Sequence, residues 1–242
     1  MLNKPDRGLR IVSTANPVGW PQAVLFDLDG TLIDSVPDLT AAVNRVLEFN
    51  GLSRLDVDAV RPMIGNGIKK LVQRAFAAHG VELEGRRLDF TTDRMMGIYR
   101  EHLTVYTTLM PGAFVAVRDL SEAGVRVAVV TNKPEAFSRR IVEHFGLGPY
   151  VDTVIGGDTG PERKPAPDML LQVLAEFRVH ARDGLMVGDS PADINAARAV
   201  PMPSIAVRGG YTAVSADELG ADGVVESLAD IGTAVDRLRE LV

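Results

Sequence analysis

The chain has 242 residues, 46% apolar and 24% charged, with a net charge of -6 and no cysteine. That length allows one substantial core plus a smaller accessory unit, and the missing cysteine removes disulfides, thiolate metal sites and cysteine nucleophiles together. Basic residues interspersed among acids do not suit a nucleic-acid backbone, and no run approaches the roughly 20 apolar residues that span a bilayer, so neither nucleic acid nor membrane is expected as a partner.

Residues 1–22 carry Pro5, Pro17 and Pro21 without periodicity and read as an N-terminal extension, with Trp20 as a packing anchor. The opening has no apolar block of the signal-peptide kind, which points to the cytoplasm. Order is expected from Ala23, because Ala23-Val24-Leu25-Phe26 is a continuous apolar run that suits a strand buried on both faces. The run ends in Asp27-Leu28-Asp29-Gly30-Thr31. Side chains on a strand repeat every two residues, so a continuing strand would put Asp27 and Asp29 on one face. At about 4 Å and an effective dielectric near 20, two carboxylates repel by on the order of 4 kcal/mol. The pair therefore needs a cation, a shared proton, or separation by the turn that Gly30 makes easy. Taken alone, the segment reads equally well as a turn. A calcium loop is rejected because glycine comes fourth rather than sixth and the apolar Leu32 and Ile33 follow.

Residues 36–106 lack strands and are expected to form a helical insertion. Leu39, Val43, Val46 and Leu47 fall at helical spacing behind an Asp34-Ser35 cap and Pro37, and end at Gly51. Ile68, Leu71, Val72, Ala75 and Phe76 repeat the pattern before Gly80, and Leu88, Met95, Ile98, Tyr99 and Leu103 form a third, rougher stripe. An insertion after the first strand of an open parallel sheet lies over the carboxyl ends of the strands, where ligands bind, and would act as a lid.

Residues 23–35 and 107–242 are expected to form the core. A helix is expected over 111–124, and apolar runs at 127–130, 153–155, 185–187, 204–207 and 223–225 alternate with helical segments at 134–145, 167–177, 191–199 and 228–241. This alternation predicts an α/β fold, a doubly wound Rossmann-like parallel sheet with an inserted helical cap. Several apolar runs end in polar residues: Thr131-Asn132-Lys133 after one, and Asp189 with Asp193 after another, while Lys164-Pro165 precedes a helical segment. Singly, Thr131 and Asn132 read as turn caps, Lys164 as a solvated lysine, and Asp189 and Asp193 as a helix cap and a first-turn acid. Jointly they converge on the carboxyl edge of one sheet. Several acids meeting there would repel unless they held a hard cation, and oxygen-only ligands suit Mg²⁺. The four histidines are dispersed without ligand spacing, and the eight methionines read as core filler.

Asp27-Leu28-Asp29-Gly30-Thr31, Thr131, Lys164 in Lys-Pro-Ala-Pro, and Gly188-Asp189 with Asp193 occur in that order, and by these four motifs the chain resembles the haloacid dehalogenase superfamily of phosphohydrolases over residues 23 to about 230. The resemblance implies that Asp27 is a nucleophile forming an aspartyl-phosphate, and that Asp29 protonates the leaving alkoxide and then deprotonates water. It further implies that Thr131, Asn132 and Lys164, with Gly30, hold the phosphoryl group. Mg²⁺ would be bound by Asp27, the Asp29 backbone carbonyl and Asp189, with Asp193 supporting the metal site from behind these ligands or through a ligating water. The second acid, Asp29, favours phosphorus over carbon as the electrophile, because the dehalogenase branch lacks it.

Within that family the chain looks most like the phosphoglycolate phosphatase branch. The similarity rests on Ile64-Gly65-Asn66-Gly67, Val130-Thr131-Asn132-Lys133-Pro134, Lys164-Pro165-Ala166-Pro167-Asp168 and Gly210-Tyr211-Thr212. It implies hydrolysis of 2-phosphoglycolate to glycolate and phosphate by a monomer or homodimer. Gly65, Asn66 and Gly67 would let backbone amides approach the carboxylate of this small phosphorylated metabolite, with Arg61, Lys69 or Lys70 nearby. Alternatives are a phosphatase of another small sugar or amino-sugar phosphate, or a phosphotransferase similar to β-phosphoglucomutase.

Overall fold

Alternate residues of strand β1 (Ala23–Phe26) enter different apolar layers, yet all four are fully buried. Val24 and Phe26 join one cluster, and Ala23 and Leu25 another. A strand covered on both faces has no solvent side to keep polar, which is why its sequence is a continuous apolar run. The structure, a computed structural model, describes residues 19–240. Residues 1–18 of the expected extension, and Leu241 at the end of the expected last helix, lie outside the described residues. Trp20 packs half-buried against the first cluster and donates its indole N–H to the Arg182 carbonyl at 2.9 Å.

Six parallel strands form the main sheet in the order β5-β4-β1-β6-β7-β8, with β4 at Arg126–Thr131, β5 at Thr153–Gly156, β6 at Gly184–Gly188, β7 at Ser204–Val207 and β8 at Gly223–Val225. The two-residue strands β2 (Ile33–Asp34) and β3 (Thr108–Leu109) pair antiparallel in a separate ribbon. After β1 the sheet grows to one side through β4 and β5, then returns past β1 to lay down β6, β7 and β8. This reversal opens a crevice at the carboxyl ends of β1 and its neighbours, where ligands bind in such folds. Helices α5 (Ala113–Glu122), α6 (Glu135–His144) and α9 (Ile231–Arg239) bury their apolar residues on one face, and α7 (Asp168–Phe177) and α8 (Pro191–Arg198) on the other. The chain is therefore the doubly wound α/β protein its strand and helix alternation predicts.

Between β2 and β3 lie α1 (Val36–Phe49), α2 (Val57–Val60), a 3-10 turn at Arg61–Met63, α3 (Ile68–Ala77) and α4 (Gly85–Arg100). Helix α2, its 3-10 extension and the β2/β3 ribbon were not expected, because each is too short to carry a period. Asp38, fully buried, accepts from the Tyr106 and Thr107 amides at 2.9 and 2.8 Å and from the Thr107 hydroxyl at 2.7 Å, tying the two chain crossings of the insertion together. The expected 228–241 helix instead begins as a 3-10 turn at Leu228–Asp230. Among the described residues no helix is long and apolar enough to cross a membrane.

Candidate active site

Asp27 leaves β1 with its amide bonded to the Val187 carbonyl of β6 at 2.9 Å, which puts its carboxyl over the crevice. Lys164, 3% exposed, spends its three ammonium protons on Asp27 Oδ1 at 2.9 Å, Asp193 Oδ1 at 2.6 Å and the Val130 carbonyl at 2.6 Å. Asp189 does not cap α8, since Ser190 takes that place and closes a capping box with Asp193. Instead Asp189 accepts from the Thr31 hydroxyl at 3.0 Å and the Tyr211 amide at 2.8 Å. Its carboxylate is wedged between two glycines: a Cβ on Gly30, where φ is +90°, would sit 2.6 Å from Asp189 Oδ2, and one on Gly210 would overlap the same oxygen. Larger residues would displace the acid.

Asp27, Asp189 and Asp193, all buried, each bring an oxygen within 4.8 Å of the others. One ammonium, Lys164, pairs with two of these acids, Asp27 and Asp193. Burial pushes Asp27 up to about 6, with Asp193 and Asp29 adding to the rise and Lys164 opposing it. Burial, then the charges of Asp193 and Asp27, hold Asp189 well above the usual carboxylate range. Burial alone would lower Lys164, but Asp193 and Asp27 outweigh it and raise the ammonium to about 12. A buried, all-oxygen cluster with surplus negative charge fits a hard divalent cation. Asp193 has both oxygens engaged, one by Lys164 and the other by the Ser190 amide at 3.0 Å and hydroxyl at 2.7 Å. Both Asp189 oxygens are engaged as well, but only by neutral donors, so Asp193, held by an ammonium and doubly by Ser190, is the most firmly committed of the three.

Asp29 lies beyond the end of β1, in the turn that follows it. The strand stops at Phe26, and amides of Leu32 and Ile33 bond to the Leu28 carbonyl at 2.9 and 3.0 Å, so the chain turns rather than continuing its alternation. Each acid then has its own lysine. Lys133 Nζ grips Asp29 at 2.8 and 3.1 Å, and the Ser35 hydroxyl donates to Asp29 Oδ1 at 2.5 Å. The expected Ser35 side-chain cap of α1 is therefore absent, its hydroxyl being used on the acid.

Two adjoining cavities share Asp27, Asp29 and Gly65; Thr131, Asn132, Lys164 and Gly67 line the first, and Asn66 and Asp189 the second, of about 280 Å³. Thr131 accepts from the Lys133 amide at 3.3 Å. Asn132 gives both side-chain donors to the Gly65 and Lys164 carbonyls, at 3.0 and 2.9 Å, so its amide ties the insertion to the core. Lys69 pairs with Asp89 on the surface and Lys70 is exposed, whereas Arg74 lines the second cavity. Arg74 is steered there by the Met63 carbonyl at 2.8 Å and Asn66 Oδ1 at 2.7 Å. Arg61 stacks over the Tyr211 ring at 5.5 Å.

Thr31, Ser35, Tyr99, Lys133, Arg74 and Tyr211 join the site without a predicted role there. Thr31, Lys133 and Tyr211 lie inside the motif segments, which is a usable signal. Tyr99 falls in an apolar stripe, and nothing local marks its hydroxyl as functional.

The sequence model of the haloacid dehalogenase-like hydrolases matches residues 24–207. The phosphoglycolate phosphatase of Rhodospirillum rubrum is 39% identical over 216 residues, 88% of this chain and 90% of that protein. That of Chromobacterium violaceum is 38% identical over 211 residues, covering 87% and 94%. The crystal structure of a predicted phosphoglycolate phosphatase from Haemophilus somnus 129pt superposes with a TM-score of 0.83 at 30% identity, over 88% of this chain and 96% of that one.

Proposed function

The chain belongs to the haloacid dehalogenase-like hydrolases and is a phosphoric monoester hydrolase of the phosphoglycolate phosphatase kind, and from that premise we propose that it is Mg²⁺-dependent, works through an aspartyl-phosphate on Asp27, and hydrolyses 2-phosphoglycolate. The observation that carries the mechanism is the pairing of two neighbouring acids with two different lysines, Asp27 with Lys164 and Asp29 with Lys133. Separate environments give the acids separate roles. Asp27, held through Oδ1 by Lys164 beside the acidic cluster, attacks phosphorus. Asp29 gives its proton to the departing alkoxide and then takes one from the water that hydrolyses the intermediate. Thr131 steadies the phosphoryl group, and Lys164, its protons held by Asp27, Asp193 and the Val130 carbonyl, supplies positive charge beside it. Bound Mg²⁺, held by Asp27, the Asp29 backbone carbonyl and Asp189 with Asp193 behind them, would offset the negative charge that otherwise keeps carboxylate and phosphate apart.

The acid cluster gives the metal reading a test apart from turnover. In the folded protein Asp27 titrates near 6, above its ordinary 3.8, so folding favours its protonated form. Without a cation, stability therefore falls as pH rises from about 4 to about 6 and stays lowered above that. Mg²⁺ is expected to raise the unfolding temperature clearly at pH 7.5 and progressively less toward pH 5. A gain that is the same at both pH values, or none at all, contradicts a metal held at these carboxylates.

For the substrate, Arg74 is the one cation among the described residues lining the 280 Å³ cavity, which supports its role as partner of the substrate carboxylate. Arg74→Met is expected to raise KM for 2-phosphoglycolate about tenfold or more, the loss of a charge-assisted hydrogen bond, while ethyl phosphate is unaffected. Steady-state kinetics on a panel that includes both esters, with and without Mg²⁺, tests the whole reading. Absence of preference for 2-phosphoglycolate over other small phosphates would move the assignment to a sugar or amino-sugar phosphate.

A further inference from the structure

Lys133 is 4% exposed, and its ammonium contacts both oxygens of Asp29, at 2.8 and 3.1 Å, and the hydroxyl of Tyr99 at 2.7 Å. One ammonium on both oxygens sets the direction and distance of the carboxyl, and the Ser35 hydroxyl on Oδ1 alone sets its plane. The lysine hangs on a flexible four-carbon stem, so its own position needs support. Tyr99 supplies that support from helix α4, which belongs to the insertion, while Lys133 and Asp29 belong to the core. The Tyr99 ring is fully buried and stands edge-on to Phe137 of core helix α6, with centroids 5.7 Å apart and an interplanar angle of 78°. Lys133 Nζ also lies 4.7 Å from the centroid of that ring. The ring is thus fixed against the core, and its hydroxyl is aimed at the ammonium.

We propose that Lys133 and Tyr99 are positioning residues that aim the Asp29 carboxyl for proton transfer, so that the acid–base group is in place only when helix α4 is seated on the core. This rests on the reading of Asp29 as acid and base. Lys133 lines the first cavity, but its ammonium is taken up by Asp29 and Tyr99. Their effect reaches the reaction through Asp29 alone, and therefore falls on the proton transfers.

The leaving group separates that effect from a general loss of structure. In the first step the P–O bond to the leaving group breaks as Asp27 bonds to phosphorus. An alkoxide must take up the Asp29 proton as it leaves, whereas 4-nitrophenolate departs unprotonated. Because kcat/KM reports this first step, a misaimed Asp29 costs an alkyl phosphate more than 4-nitrophenyl phosphate. Positioned acids contribute about 10²–10⁴-fold. Lys133→Met is expected to lose roughly 10- to 100-fold in kcat/KM on ethyl phosphate and only a few-fold on 4-nitrophenyl phosphate. Tyr99→Phe keeps the buried ring and removes one hydrogen bond, so it guards against misfolding; it is expected to show the same selective loss, a few-fold in size, with KM unchanged. Lys133→Arg should recover part of it. Asp29→Asn, measured alongside, sets the full selective loss. If Asp29→Asn shows no leaving-group selectivity, its acid role fails and this inference with it. If Asp29→Asn is selective while Lys133→Met and Tyr99→Phe lose equally on both esters, or lose nothing, the positioning role alone is overturned.

Discussion

Asp27→Asn is expected to lose on the order of 10⁴- to 10⁶-fold in turnover of every phosphomonoester, the scale on which removal of other covalent nucleophiles falls, while folding as stably as the parent or more so. The amide is nearly the same size as the acid, but its nitrogen and oxygen do not attack phosphorus as a carboxylate does. The stability side follows from charge. Asp27 is clustered with Asp189 and Asp193 and shares Lys164 with Asp193, and burial has already pushed its ionisation up to about 6. Its charge therefore costs the metal-free fold at neutral pH, and removing it relieves repulsion. Kinetics with saturating Mg²⁺, together with thermal unfolding in a chelator, check both halves. Activity near the parent's would exclude Asp27 as the nucleophile, and a lowered unfolding temperature would refute the account of the cluster's charge.

Asp29→Asn is expected to behave in the opposite way in stability and in a distinct way in kinetics. The carboxylate it removes is the partner of a buried lysine, and Lys133 keeps only the Tyr99 hydroxyl and one amide oxygen. Breaking one side of a buried pair costs about 3–5 kcal/mol, and the surviving oxygen puts this case near 3. Alkyl phosphates should lose about 10²–10⁴-fold, the contribution of a positioned acid–base group. With 4-nitrophenyl phosphate the first step survives and the hydrolysis of the intermediate does not. The variant should release close to one equivalent of nitrophenolate quickly and then turn over slowly. Stopped-flow absorbance and chemical denaturation report the two effects, and a burst no larger than the parent's would remove Asp29 from the second step.

Two aspartates two residues apart thus differ in what their loss does, and that difference was hidden in the sequence. The strand at residues 23–26 was legible because burial on both faces leaves an unbroken apolar run, and the same logic located the strands ending at Thr131 and Gly188. Since every strand of the main sheet is parallel, their carboxyl ends lie on one edge. Convergence of Asp27, Thr131 and Asp189 could therefore be expected from chain order alone. The partnerships could not. Lys133 reaches Asp29 across 104 positions, and Tyr99 reaches Lys133 from a helix whose stripe gave its ring an apolar role. Ser35 looked like a helix cap because capping is a local property, but a nearby acid competed for its hydroxyl and won. The Arg74 side chain, likewise, is aimed by carbonyl and amide oxygens of a turn that carries no period of its own. Periodicity reports burial, and it is silent about which buried polar groups meet.

The covalent intermediate is the center of this account, and trapping it is the most direct test. Parent and Asp29→Asn protein are mixed with phosphorus-labelled 4-nitrophenyl phosphate and Mg²⁺, quenched in acid within the burst, digested, and the label located by mass spectrometry. The account predicts one phosphoryl group per chain on Asp27, more abundant in the variant and released by hydroxylamine as an acyl phosphate is. A label on another residue, or a full nitrophenolate burst with no phosphoryl group on the protein, would contradict it.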